Sequence, residues 1–273
     1  MQSSTPLDYL PLWLGIWVIV IFLLLLIEAG YRLGRYRRQR AADEMETPVG
    51  AIVGATLGLL GFILAFTFSL AASRFDARRQ MVVEEANAIG TTYLRAGLLP
   101  DQVAGMRVRN LLEKYVELRL QTVATGNIEL ALNPAEELQQ ELWQTAETVG
   151  RTHPDSIVVG LFLESLNETI DVHSKRVLVG LRNRLPTSLW AALFVITSLT
   201  MLGVGYHEGL TKSRRSPAIL VLVLSFCMVL KLIADLDRPL EGDLQVSQEA
   251  MVELREMIHQ AQAEDGYQPP SAG

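Results

Sequence analysis

Hydrophobic positions along this chain are bunched into four long runs instead of being dispersed at amphipathic spacing. The first covers residues 9–29, uncharged as far as Ile27, with twelve unbroken apolar residues from Ile16 to Ile27. The second, 47–73, carries no charge at all, and the third, 187–206, follows Pro186, which suits a helix start. The fourth, 217–236, spans if Lys231 and Asp235 are accommodated near one interface. A hydrocarbon core about 30 Å thick needs about 20 apolar helical residues, so each run is long enough to cross it. The pattern predicts an all-α membrane protein with four transmembrane helices and a helical extramembrane insert between spans two and three.

Within that insert, residues 74–186, apolar positions recur at helical spacing. Val82, Ala86, Ile89 and Tyr93 make one stripe, and Leu111, Tyr115 and Leu118 another. Stop signals fall at Gly97 to Pro100 and between Gly126 and Leu132. Asn133-Pro134 predicts a helix start, with Asn as N-cap, Pro at the first position and Glu136 favoured by the helix dipole. His153-Pro154-Asp155 predicts another, running towards Pro186; Ile157 to Phe162 is locally ambiguous between helix and strand. The expectation is a bundle of about four helices whose first and last members continue spans two and three. A C-terminal helical segment, 237–263, is capped by Ser247 and carries Met251, Leu254, Met257 and Ile258 on one face. A disordered tail is expected at 264–273.

Composition sharpens this picture. Of 273 residues, 49% are hydrophobic and only 20% charged, against about a quarter charged in soluble domains. The single cysteine, Cys227, lies inside an apolar run and excludes a disulfide scaffold. A net charge of -6 argues against a nucleic-acid partner. No basic residue precedes the first span and no small-residue cleavage site follows it, so it reads as a retained span and not as a signal peptide. Two basic loops, 30–46 and 207–216, hold Arg32, Arg35, Arg37, Arg38 and Arg40 in one, Lys212, Arg214 and Arg215 in the other. The positive-inside rule places both in the cytoplasm, with the insert and both termini facing outward. Against this, Arg74, Arg78, Arg79, Lys175, Arg176, Arg182 and Arg184 crowd the membrane ends of the insert.

Several constellations bear on function. Gly50, Gly54, Gly58 and Gly61 form a flat stripe on the second span that admits a close helix neighbour, within one subunit or between subunits. Phe62 and Phe66 continue that face as ordinary core or lipid-facing residues, or as a hydrophobic constriction in a symmetric assembly. The junction beyond holds Arg74, Asp76, Arg78, Arg79, Glu84 and Glu85, read as membrane-interface charge or as an ion-selecting ring. Glu28 is placed to pair with Arg32, and Lys231 with Asp235, at one-turn spacing; Asp237 and Arg238 sit at the interface. Catalytic, metal and cofactor signals are lacking. His153, His173, His207 and His259 are scattered without ligand spacing, and Gly203-Val-Gly205 follows no strand.

Two stretches look familiar together: Gly58-Leu-Leu-Gly61-Phe62-Ile-Leu-Ala-Phe66 running through Arg74-Phe75-Asp76-Ala-Arg78-Arg79-Gln80 to Glu84-Glu85-Ala86-Asn87-Ala88-Ile89-Gly90, and Asp237-Arg238-Pro239 followed by Gly242 and Val246-Ser247-Gln248. With four spans around a helical insert, they resemble the bacterial bestrophin-like membrane proteins. The resemblance implies a homopentameric anion channel with the second helix lining the pore and Phe62 and Phe66 at its neck. It also implies termini and insert in the cytosol, opposite to the charge reading. No acidic cluster has the spacing of a calcium clasp; Asp235, Asp237, Glu241 and Asp243 mimic one only loosely. The sequence therefore reads as a homo-oligomeric ion channel in a lipid bilayer. The rival is a non-conducting assembly or signalling protein whose helical insert binds a protein partner.

Overall fold

The computed structural model of the protein describes residues 12–40, 46–125, 128–179, 185–211, 217–238 and 244–264. Its helices are α1 (Leu12–Arg40), α2 (Glu46–Ala96), α3 (Gln102–Thr125), α4 (Ile128–Thr152), α5 (Ile157–Val177), α6 (Thr187–Leu210), α7 (Ala218–Asp237) and α8 (Glu249–Glu264). No strand occurs among the described residues, and Ile157 to Phe162 is helix. The four expected spans are α1, the first part of α2, α6 and α7, each long and apolar enough to cross a membrane. The chain divides into two compact units: Met1–Arg74 with Arg184–Leu244, and Phe75–Asn183 with Gln245–Gly273. The 51 residues of α2 belong to both. At 1.5 Å per residue that helix is roughly 75 Å long, more than twice what the hydrocarbon core requires.

Three boundaries differ from expectation. The basic segment after the first span is helix as far as Arg40, not loop. Arginine is a good helix former, and Arg37, Arg38 and Arg40 in the last turn complement the C-terminal dipole. Likewise α4 begins at Ile128, so Pro134 lies inside it and not at its first position. The start of α5 comes slightly later than His153-Pro154-Asp155: Ser156 is its N-cap and accepts from the Val159 N–H. Residues 180–184, where an uninterrupted run from the last insert helix into the third span was expected, lie outside the described residues, as does the 264–273 tail beyond Glu264.

The membrane unit is organised by a contact between α1 and α6. Gly30 and Gly34 on α1 meet Gly205 and Gly209 on α6, and both pairs have i, i+4 spacing. A Cβ on Gly30 or Gly34 would fall well inside van der Waals distance of the Leu202 or Tyr206 carbonyl oxygen. One on Gly205 or Gly209 would do the same to Ile27 or Tyr31. Only glycine permits so close a backbone approach. Further along the same pair, Phe22 stacks on Phe194 with ring centroids 5.2 Å apart. On α2, Leu60, Leu64, Thr67 and Ala71 are buried, a stripe of helical period, and Thr67 satisfies its hydroxyl on the Ile63 carbonyl at 2.8 Å. Val223, Cys227 and Ile233 are the buried positions in the middle of α7.

In the second unit, Ile89 and Tyr93 of α2, Leu112 and Tyr115 of α3, Leu142 of α4 and Phe162 and Leu166 of α5 form one hydrophobic core. The expected stripe Val82, Ala86, Ile89, Tyr93 is buried along its length. The break at Gly97 to Pro100 is a tight turn, after which the Asp101 carboxylate caps α3 by accepting from the Val103 and Ala104 N–H groups at 3.0 and 3.1 Å. Helix α8 completes this core. Ser247 accepts from the Glu249 N–H at 3.2 Å, and Met251, Leu254 and Ile258 are buried in the cluster. Its outer edge is tied to α3 by Gln262 to Glu113 (2.9 Å) and by His259 to the same carboxylate (3.4 Å).

These contacts assign different roles to different glycines. Gly205→Leu or Gly34→Leu drives a side chain into a backbone that cannot yield, and should cost more than about 3 kcal/mol. The expected readout is loss of a monodisperse peak in detergent size-exclusion chromatography. Gly54, whose Cβ position is open, should accept alanine with unchanged helical content and a stability change within about 0.5 kcal/mol.

Candidate functional site

The residues singled out on the second span divide by face. Gly50 faces α6, where a Cβ would sit 2.8 Å from His207 Nε2. At Gly54, Gly58 and Gly61 no atom of another helix among the described residues lies within 4 Å of a Cβ position, so these three are not packed against the described helices of the subunit. Phe62 and Phe66, one and two turns on from Gly58, are 71% and 62% exposed. On the opposite face Leu60 and Leu64 are 0% and 3% exposed. The span thus buries one side within its own unit and leaves a strip of small residues and two large rings uncovered.

Elsewhere in the membrane unit the charges are locally held. Glu28 accepts from Arg32 Nε at 2.8 Å, as its spacing predicts. Lys231 Nζ lies 3.9 Å from Asp235, which is buried. Asp237, also buried, accepts from the Leu185 N–H at 2.8 Å and stands 3.5 Å from Trp190 Nε1. It therefore ties the end of α7 to the start of α6, and the Arg238 N–H closes α7 on the Ala234 carbonyl at 3.1 Å.

The polar junction after the second span separates into surface and core. Asp76 and Arg79 are exposed, Arg74 and Glu84 half-buried, and Arg78 buried. Glu84 accepts from Gln80 Nε2 at 2.9 Å. Glu85 departs from the interface reading: its side chain is fully buried in the second unit. Arg119 of α3 approaches it through Nε and Nη2 at 3.2 Å, and Arg176 of α5 through Nε at 3.0 Å. The Tyr115 hydroxyl donates to Glu85 Oε1 at 2.9 Å and lies 2.6 Å from His173 Nδ1. Arg176 Nη2 stands 3.5 Å from the same ring nitrogen, so His173 Nδ1 faces both the tyrosine oxygen and a guanidinium. His173 itself stands 3.9 Å from Glu85 and reaches it through the tyrosine. Two turns along α2 the Thr92 and Thr169 hydroxyls meet at 2.9 Å, continuing the polar seam between α2 and α5.

Burial would push the Glu85 carboxyl up, but the His173 ring and the Arg176 and Arg119 guanidiniums outweigh it and hold it well below the usual carboxylate range. Burial, then the Glu85 charge, push the Tyr115 phenol upward, so it stays a donor. Burial lowers Arg176 from the ordinary arginine value, with Glu85 opposing. Sequence reading placed Arg176 among the membrane-end charges and His173 among scattered histidines; both belong to this buried network. The available signal was Arg119 on the apolar stripe of α3, one turn from Tyr115. Among the described residues no group of three His, Cys, Asp or Glu side chains is gathered as a metal would require.

Fold and site define a four-span helical membrane protein with a helical unit outside the spans. The chain belongs to the Bestrophin-like family, whose domain profile matches residues 16–251. Solved structures share the fold. A variant of a bacterial bestrophin homologue from Klebsiella pneumoniae aligns with a TM-score of 0.65 at 16% identity, covering 92% of this chain and 99% of that one. A second variant of that homologue gives 0.66 at 15% identity, over 90% and 99%. A structure described as a membrane protein gives 0.65 at 16%, over 93% and 99%. No curated protein matches the sequence.

Removing one member of a buried ion cluster leaves its partners uncompensated, so Arg119→Met should destabilise the protein by about 3–5 kcal/mol in thermal or urea unfolding. The pH dependence follows from Glu85. Its folded carboxyl is depressed, so its stabilisation is present above the ordinary value of 4.5 and is lost as pH falls below it. Wild type should lose stability steeply on acidification below that pH. Glu85→Gln, less stable at neutral pH, should show a shallower acid slope.

Proposed function

We propose that the protein is the subunit of a homo-oligomeric ion channel of the bacterial inner membrane, selective for anions, with α2 facing the symmetry axis and Phe62 and Phe66 at the narrowest point. The observation that carries this reading is the uncovered strip on α2: three glycines with no other described helix within 4 Å and two exposed phenylalanines, on a span whose other face is buried. Polar pore linings are not required for such a neck. A ring of phenylalanines holds back water and forces an ion to shed hydration, and aromatic ring edges carry partial positive charge that favours anions. Family membership supports the channel reading through the resemblance already described.

The rival, a non-conducting assembly with a protein partner on the helical unit, draws support from apolar side chains exposed there: Leu98 at 69%, Val103 at 73% and Ile157 at 81%. Flux separates the two. Phe62→Ala with Phe66→Ala widens the neck, so chloride efflux from proteoliposomes at matched protein content should rise above wild type. A double variant that stays assembled and leaks no more than empty liposomes removes the pore reading. Gly58→Ile should lower the mass of the detergent-solubilised complex while helical content is kept; an unchanged mass argues against an intersubunit strip.

The orientation we propose follows the charges, with the Arg-rich end of α1 in the cytoplasm and the helical unit in the periplasm. In a Cys227→Ala background, an impermeant thiol reagent on spheroplasts should label Gln140→Cys and spare Gln39→Cys, both exposed positions. The reverse pattern would establish the orientation that the resemblance implies.

A further inference from the structure

We propose that the C-terminal end of α1 carries a binding face for anionic phospholipid headgroups, formed by Arg32, Arg35, Tyr36 and Arg40. Being helix and not loop, this segment holds its side chains at about 100° per residue, which puts Arg35, Gln39, Arg32, Tyr36 and Arg40 on an arc of roughly 140°. All five are exposed. The opposite side of the helix carries Gly30 and Gly34, packed on α6, so this arc faces away from the protein's own helices. Arg38, off the arc, is engaged differently, donating to the Thr211 carbonyl at 2.7 Å beyond the end of α6.

Depth identifies the ligand. The uncharged run ends at Ile27, and Arg35 lies about 12 Å further along the axis. Side chains on an α-helix lean towards its N-terminus, which here means back towards the bilayer from which α1 emerges. The Arg40 guanidinium shows this lean: it sits over the Tyr36 ring, one turn nearer the membrane, 4.3 Å from the centroid. Arginine heads directed at the headgroup layer, with a tyrosine among them, suit phosphodiester oxygens and the polar-apolar boundary. The last-turn dipole accounts for a basic residue near Arg40, and Glu28 pairs with Arg32 at 2.8 Å, but neither accounts for Arg35, further back in the helix. The chemistry is a phosphate monoanion fixed at the membrane surface, as in phosphatidylglycerol.

The test is lipid retention by the purified full chain in neutral detergent, measured as exchange of fluorescent phosphatidylglycerol against phosphatidylcholine. Wild type should prefer the anionic lipid. Arg35→Gln with Arg40→Gln should weaken phosphatidylglycerol binding by about fivefold per arginine and leave phosphatidylcholine unchanged. Arg107→Gln, an exposed charge on the helical unit, controls for net charge and should have no effect. The preference should shrink as salt is raised towards 1 M, where the Debye length falls to about 3 Å. Three results would overturn the proposal: a double variant with undiminished preference, an equal loss in Arg107→Gln, or a wild-type preference indifferent to salt. Displacement of the lipid by millimolar glycerol phosphate would also overturn it, by assigning the face to soluble anions. Chromatographic mass and helical content, read on the same samples, separate a lost site from a lost fold.

Discussion

Two helices meeting inside a bilayer gain little from hydrophobic burial, because lipid tails are as apolar as their own side chains. Their attraction has to come from close packing, and α1 and α6 obtain it by removing side chains altogether where Gly30 and Gly34 meet Gly205 and Gly209. Backbone carbonyls then pack against Cα groups of the facing helix, a geometry that also brings weak Cα–H to oxygen contacts into range. The Asp237 carboxylate, bonded to the Leu185 N–H, fixes where α6 begins relative to the end of α7. With one face of α2 buried at Leu60, Leu64, Thr67 and Ala71, the opposite face is left uncovered. The channel proposal rests on that uncovered face.

The helical unit solves a different problem. Its apolar core, built around Tyr93, Tyr115 and Phe162, supplies bulk stability. The Glu85 network imposes register. One carboxylate shared by two guanidiniums and a tyrosine hydroxyl has few arrangements that satisfy every group, and each costs dearly if broken. Residues from α2, α3 and α5 must arrive together, and the Thr92–Thr169 contact repeats the constraint two turns away. The α8 helix adds apolar closure and edge bonds at Glu113.

Much of the architecture was legible in the chain, for reasons rooted in length and period. A membrane demands about twenty predominantly apolar residues per crossing, so four such runs announce four helices. A buried stripe repeats every three to four residues, so Val82, Ala86, Ile89 and Tyr93 identified their own face. One-turn pairs such as Glu28 with Arg32 are local and were readable from spacing alone. So was the Ser247 cap of α8. The extent of α1 was less legible, because a cluster of arginines looks like a loop until its helix propensity is weighed.

What only tertiary structure decided concerns partners distant along the chain. The glycine series read from the sequence was the one on α2, and spacing could not tell whether it is packed within the subunit. The close packing lies instead between α1 and α6, some 170 residues apart, where Gly205 and Gly209 come up to Gly30 and Gly34, while Gly54, Gly58 and Gly61 face no other helix among the described residues. Glu85 looked like one more interfacial carboxylate, since Arg119 and Arg176 are 34 and 91 residues away, and the one local hint, an arginine on the apolar stripe of α3, does not say which carboxylate it meets. Periodicity records which face of a helix is apolar. It carries no information about which other helix will cover that face, because that choice depends on shape and charge contributed by remote residues.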